Sequence, residues 1–155
     1  MVAQLNCLEV GAASPDGCVV DVGGSGVRIG RVTRGVLTDV VRVSPGSAEE
    51  LGAEILRANG NERPTSIGVS VAGYVNSEAG LVRSSRVAPY LQGNLRERLR
   101  EETGAGHVAV VNDGDAHALH AAAASGFDRA IVCLGLPRVL LTVGVWGDQA
   151  ASASL

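Results

Sequence analysis

The sequence predicts an α/β domain: a mixed five-stranded sheet with an N-terminal antiparallel hairpin and crossover helices. Three observations carry that prediction. The run Val19 to Val32 is an apolar strand ending in Asp21, a glycine turn, and a second strand in which Val27, Ile29 and Arg31-Val32 alternate apolar with polar or small residues at period two, the pattern of a hairpin. Capped helical segments then alternate with short apolar strands, the order that builds a sheet with crossovers. Finally, 155 residues with 46% hydrophobic and 19% charged content are enough for one domain with a core of its own. Aromatics make up only 3%, so Val, Ile, Leu and Ala must fill that core.

Residues 1–17 read as a lead-in closed by the turn signal Ser14-Pro15-Asp16-Gly17. The hairpin covers 18–33, and Arg34-Gly35 turns the chain into a third strand, Val36 to Val43. Ser44-Pro45-Gly46-Ser47 breaks the strand and starts a helix. Ser47 can cap it, and Glu49 and Glu50 lie in the first turn, where the helix dipole favours negative charge. Leu51, Ile55 and Leu56 keep helical spacing until Asn59-Gly60-Asn61 stops the helix.

Thr65 to Val71 is an apolar strand ending in Ala72-Gly73, followed by a stretch from Tyr74 to Asn94 that reads as irregular. Leu95 to Thr103 is a short charged helix ended by Gly104. Its Arg and Glu residues form a solvated face with i,i+4 pairing rather than a nucleic-acid patch. Val108 to Val111 is a buried-type strand, Asp113 opens an alanine-rich helix through Ala124, and Ala130 to Leu134 is a further strand.

Net charge of −3 and a pI near 5.6 give no electrostatic reason to expect nucleic acid or an anionic membrane as partner. All 13 basic residues are arginine. Cys7, Cys18 and Cys133 are scattered, with no C-x-x-C pair, so neither zinc nor a disulfide framework is expected. The N-terminus lacks the pattern of a signal peptide and no apolar run could span a bilayer, so the expectation is a cytoplasmic protein.

Val22-Gly23-Gly24-Ser25-Gly26-Val27 separates two designs for binding phosphate. A dinucleotide-binding finger needs a helix directly after its glycines, whereas here a strand follows. The spacing of Gly24, Gly26 and Gly30 also misses G-x-G-x-x-G by one residue. A phosphate would therefore lie against turn amides, with Asp21 holding a metal ion or a water beside it. A second constellation, Asn112-Asp113-Gly114-Asp115, ends a strand just before a helix, where ligand sites of open α/β sheets lie. Asp113 alone reads better as the cap of that helix, and it is the combination with the other motifs that points to a site. His117 and His120 stand at i,i+3 with Asp113 one turn earlier, but no further ligand at metal spacing joins them.

Taken together, Asp21-Val-Gly-Gly-Ser-Gly, Gly68-Val-Ser-Val-Ala-Gly73 and Asn112-Asp113-Gly-Asp-Ala resemble the N-terminal domain of the ROK family of bacterial glucokinases, related sugar kinases and sugar-responsive repressors. The order and spacing agree over about residues 18–135. The resemblance implies an actin-like (ribonuclease H-like) ATPase fold and an ATP-dependent sugar kinase. In it Asp21, Gly23, Gly24, Ser25 and Gly26 face the ATP phosphates, with Asp21 toward Mg²⁺. Asn112 and Asp113 contact sugar hydroxyls, Asp113 acts as general base, and Gly73 and Arg86 line the sugar side. It also allows a homo-oligomer. The alternative in the same family is a non-catalytic sugar-sensing domain without a DNA-binding module. Departures are specific: Ser25-Gly26 replaces Thr-Lys, Ala72 replaces a proline, and Arg86, Tyr90 and Asp115 stand where Asn, Trp and a second Asn are usual.

After Gly135 the family would continue with a second phosphate loop and a second domain, but this chain gives Leu136-Pro137-Arg138, an apolar run and a weak tail over 136–155. That break reads as a frameshift or truncation, leaving a half without activity of its own. The other reading is a genuine short protein whose Val139 to Val145 adds an edge strand.

Overall fold

The computed structural model describes residues 16–34 and 36–117, together with the backbone of two further strands at 130–134 and 141–145. The chain divides into two compact units, Val10–Asp113 and a second made of Met1–Glu9 with Gly114–Leu155.

The first unit is built on a five-stranded sheet of order β3-β2-β1-β4-β8. Its strands are β1 (Gly17–Gly23), β2 (Gly26–Thr33), β3 (Val36–Val43), β4 (Ser66–Val71) and β8 (His107–Asn112). β1, β2 and β3 pair antiparallel, while β1–β4 and β4–β8 pair parallel, giving the mixed sheet and N-terminal hairpin expected from the pattern. Val20, Val22, Val27, Ile29, Ile67, Val69, Val71, Val108 and Val110 alternate into one face and are buried there. Asp21, Arg28, Gly30, Gly68 and Ser70 fall on the other.

α1 (Ala48–Ala58) and α2 (Leu95–Thr103) supply Leu51, Ile55, Leu95 and Leu99 to the same core. Ser47 caps α1 as expected, its Oγ accepting from the Glu50 N–H at 3.1 Å, and the Glu50 carboxylate accepts from the Gly46 N–H at 2.6 Å. A bond from its own amide, and then one from the Ser47 hydroxyl, hold the Glu49 carboxyl below its usual range. Gly52 lets the helices meet: a Cβ there would lie 2.6 Å from Glu102 Cβ. Asn94 caps α2, and Gly104, in the left-handed region at φ 68°, closes it by donating to the Arg100 carbonyl.

Two sequence readings change. The stretch from Tyr74 to Asn94 is ordered into a small three-stranded sheet of β5 (Tyr74–Asn76), β6 (Leu81–Ser84) and β7 (Gly93–Asn94), with a 3₁₀ turn at Pro89–Leu91. Strands of two to four residues are too short to display a period, so the pattern could not reveal them. On α2 the pairing is Glu97–Arg100 at i,i+3 instead of i,i+4. Arg96 and Arg98 bond backbone carbonyls of Ser77, Glu78 and Gln92, fastening the small sheet to the helix.

In the second unit, β9 (Ala130–Leu134) and β10 (Leu141–Val145) form an antiparallel pair with Leu134 opposite Leu141. β10 falls within the 139–145 run read as an edge strand. The lead-in up to residue 15, Gly35, His120 and the rest of the 118–129 stretch lie outside the described residues.

Candidate functional site

Parallel pairing in register decides where the site forms. Val22 lies opposite Val71, and Val71 opposite Asn112, so β1, β4 and β8 end at one edge of the sheet. The segments leaving those ends are the glycine turn, the Ala72-Gly73 loop and Asn112-Asp113. Residues 80 to 90 positions apart in sequence are thereby gathered on one rim.

The loops at this rim are tied together by side chains. Ala72 N–H donates to the Val22 carbonyl at 3.0 Å, continuing the ladder beyond the strand. Asn112 Nδ2 donates to the Gly73 carbonyl, so two residues expected on the sugar side are in direct contact. Buried Ser85 donates from Oγ to the Ala72 carbonyl at 2.8 Å and accepts from the Ala88 N–H at 3.1 Å. A Cβ on Gly73 would lie 2.3 Å from the Ser84 carbonyl oxygen; the close approach it permits is therefore to its own chain. Arg86 is exposed on the loop that Ser85 pins. Asp113 is half-buried and is the first residue of the helical segment 113–117, directly after Asn112.

At the turn, Asp21 lies opposite Arg28 on β2. Arg28 Nη1 donates to Asp21 Oδ2 at 2.9 Å, and Nη2 donates to Ser25 Oγ at 3.3 Å. The Arg28 and Asp21 side chains are 43% and 50% exposed, so solvent reaches both. Gly26 adopts φ 111°, a conformation that excludes most side chains. Among the described residues nothing lies within 4 Å of where a Gly23 Cβ would stand, and Gly24 meets only Val87 Cγ1, at 3.8 Å; these residues leave the turn open to approach.

On the core side of the turn a cavity of about 220 Å³ is lined by Val22, Gly23, Gly24, Gly26, Val27, Ser44, Pro45, Val87 and Tyr90. Asp21 and Arg28 stay on the opposite face of the sheet and do not line it. Burial, with Glu50 nearby, pushes the Tyr90 phenol above its usual pKa, so it stays a neutral donor. Among the described residues no group of three or more His, Cys, Asp or Glu converges as for a metal, and His117 is exposed.

This geometry has counterparts in solved structures. The chain matches a ROK family protein from Streptococcus pneumoniae in complex with sucrose at TM-score 0.60 and 26% identity, over 76% of this chain and 43% of that one. A protein from Listeria monocytogenes proposed as an N-acetylmannosamine kinase gives 0.58 and 28%, over 84% and 46%. This chain has the ROK-family fold. A ROK glucokinase from Streptomyces griseus in complex with glucose and AMPPNP has the same fold at TM-score 0.58 and 23% identity, covering 84% and 43%. The chain thus spans less than half the length of these three proteins. No protein-family model and no curated protein matches the sequence.

Sequence reasoning missed Ser85 and Arg28. Ser85 carries no motif, and its role exists only because two loops meet there. Arg28 could have been found by pairing the hairpin strands about the Gly24-Ser25 turn, which places it beside Asp21.

Proposed function

We propose that this chain forms the lobe of an ATP-dependent sugar kinase that faces both nucleotide and sugar, transferring a phosphoryl group from ATP to a hydroxyl of a hexose or amino sugar. The observation that carries the reading is the convergence of the glycine turn, the Gly73 loop and Asn112-Asp113 on one edge of the sheet through the register of β1, β4 and β8. The ROK proteins it resembles at 26% and 28% identity support it, one of them holding sucrose.

In this proposal the amides around Gly23, Gly24 and Ser25 face the phosphates, which an open turn without side chains permits. Asp113 accepts the proton of the attacking sugar hydroxyl as its oxygen bonds to the γ-phosphorus and the bond to the ADP oxygen breaks. Asn112 and Arg86 contact neighbouring hydroxyls, and Gly73 keeps its loop close enough for Asn112 to hold it. Positioning supplies most of the rate in such transfers, so a second lobe of a longer protein would be needed for closure over the reactants. The described lobe by itself is proposed to bind without turning over. Use of ATP fits a cytoplasmic setting.

A divalent cation bound with ATP would neutralise developing charge on the phosphates. The described side chains do not fit a cation held by the protein: the Asp21 carboxylate is paired with Arg28, and among the described residues no cluster of acidic ligands surrounds it.

Calorimetric titration of the 155-residue chain with glucose, mannose and N-acetylmannosamine tests the reading. Saturable binding of one sugar, weakened at least about tenfold in Asp113→Asn, is expected. No sugar binding would overturn it. Sugar binding without any ATP binding would replace the kinase by a sensing domain.

A further inference from the structure

The turn carries more positive charge than its sequence motif suggests. Register places three charged residues in one row across β1, β2 and β3: Asp21 opposite Arg28, and Arg28 opposite Arg42. Residues directly opposite share a face, so among the described residues two arginines and one aspartate line this row. The Arg42 stem flanks the turn, its Cγ 4.0 Å from where a Gly26 Cβ would be. Arg28 reaches the turn from the other direction through Ser25 Oγ, at 3.3 Å. Gly26 itself, at φ 111°, would be strained by a lysine, so a cation at this turn has to come from the strands.

Two like charges directly opposite each other destabilise a sheet unless something neutralises the excess. Asp21 neutralises one of them. We infer that the second is matched by ligand: Arg28 and Arg42 bind the phosphate chain at the β1–β2 turn, and Asp21 positions Arg28 and is not a metal ligand. The guanidinium fork suits phosphate oxygens in pairs, and the open backbone beside Gly23 leaves room for the chain to lie against the turn. Binding at this turn therefore does not require a divalent cation. The inference rests on the phosphate-facing role of the turn proposed above. Its chemistry is that of a linear polyphosphate, whether a nucleoside triphosphate or an inorganic chain.

Calorimetry on the 155-residue chain with ATP and with sodium tripolyphosphate, each in EDTA and in excess MgCl₂, tests it. The expected result is binding in EDTA, weakened about tenfold or more in the doubly substituted R28Q/R42Q chain, with a shallower dependence on salt. Asp21→Asn is expected to bind at least as tightly as the wild type, because it removes the anion that competes for Arg28. These side chains are exposed or half-exposed, and an unchanged urea midpoint shows that each variant is folded. Tripolyphosphate binding as well as ATP assigns the site to the phosphate chain alone; ATP binding alone, still lost in R28Q/R42Q, assigns it to a nucleotide. Binding that needs MgCl₂ and disappears in Asp21→Asn would overturn the inference, as would binding unchanged in R28Q/R42Q. Failure of both ligands to bind the wild type would remove the phosphate role of the turn itself.

Discussion

Ser85→Ala is the sharpest test of how the rim is assembled. Ser85 is 6% exposed, and its single oxygen joins Ala72 to Ala88 through bonds of 2.8 and 3.1 Å. Alanine removes both bonds without adding volume. The Ala88 N–H, on a residue 1% exposed, is left in the interior without this acceptor. An orphaned buried donor costs about 1–3 kcal/mol, so a total near 2 kcal/mol is expected. With an m-value of about 1–2 kcal/mol/M, the urea midpoint should fall by about 1–2 M. The damage should also be local. The Ala88 amide should exchange about tenfold faster or more, while amides in β1 and β4 slow or speed only with global stability. A midpoint shift below about 0.3 M with Ala88 exchange unchanged would refute the argument that Ser85 pins the loop carrying Arg86 and Val87.

Two further outcomes follow from burial. Leu99, fully buried between α2 and the sheet, should cost about 3–5 kcal/mol when cut to alanine, whereas Val36→Thr at a 62% exposed edge position should stay within about 0.5 kcal/mol; equal shifts in urea unfolding would contradict the assigned core. Cys18 is buried, and burial raises its thiol pKa against the opposing pull of Arg31. The native state therefore holds the proton more tightly than the unfolded chain, and stability is lost as pH rises from the ordinary thiol range through the folded value. Unfolding at about pH 7 and about pH 10 should show a decline that is reduced in Cys18→Val, and identical slopes would refute it.

Much of the fold was legible because its elements are long enough to show a period. The hairpin alternates through seven and eight residues, and α1 and α2 end where their caps and glycines say. The small sheet of β5, β6 and β7 was not legible, since no strand in it exceeds four residues and its fastening comes from Arg96, on the helix that follows it, reaching back to carbonyls of Ser77 and Glu78. The candidate site divides in the same way. Asp21, the glycines and Asn112-Asp113 stood out as turn and strand-end residues, whereas Ser85 gained its role only from two loops meeting.

By itself the sequence determined the order of the longer strands and helices, the glycine turn followed by a strand, and the resemblance that these motifs carry. Those properties depend on neighbours a few residues apart, through backbone conformation, capping and alternation. Only the tertiary structure decided what each polar residue faces. The pairing of Asp21 with Arg28, the excess charge added by Arg42, and the contact of Asn112 with Gly73 all arise from strand register. Register is a property of two segments at once, so no single segment contains it.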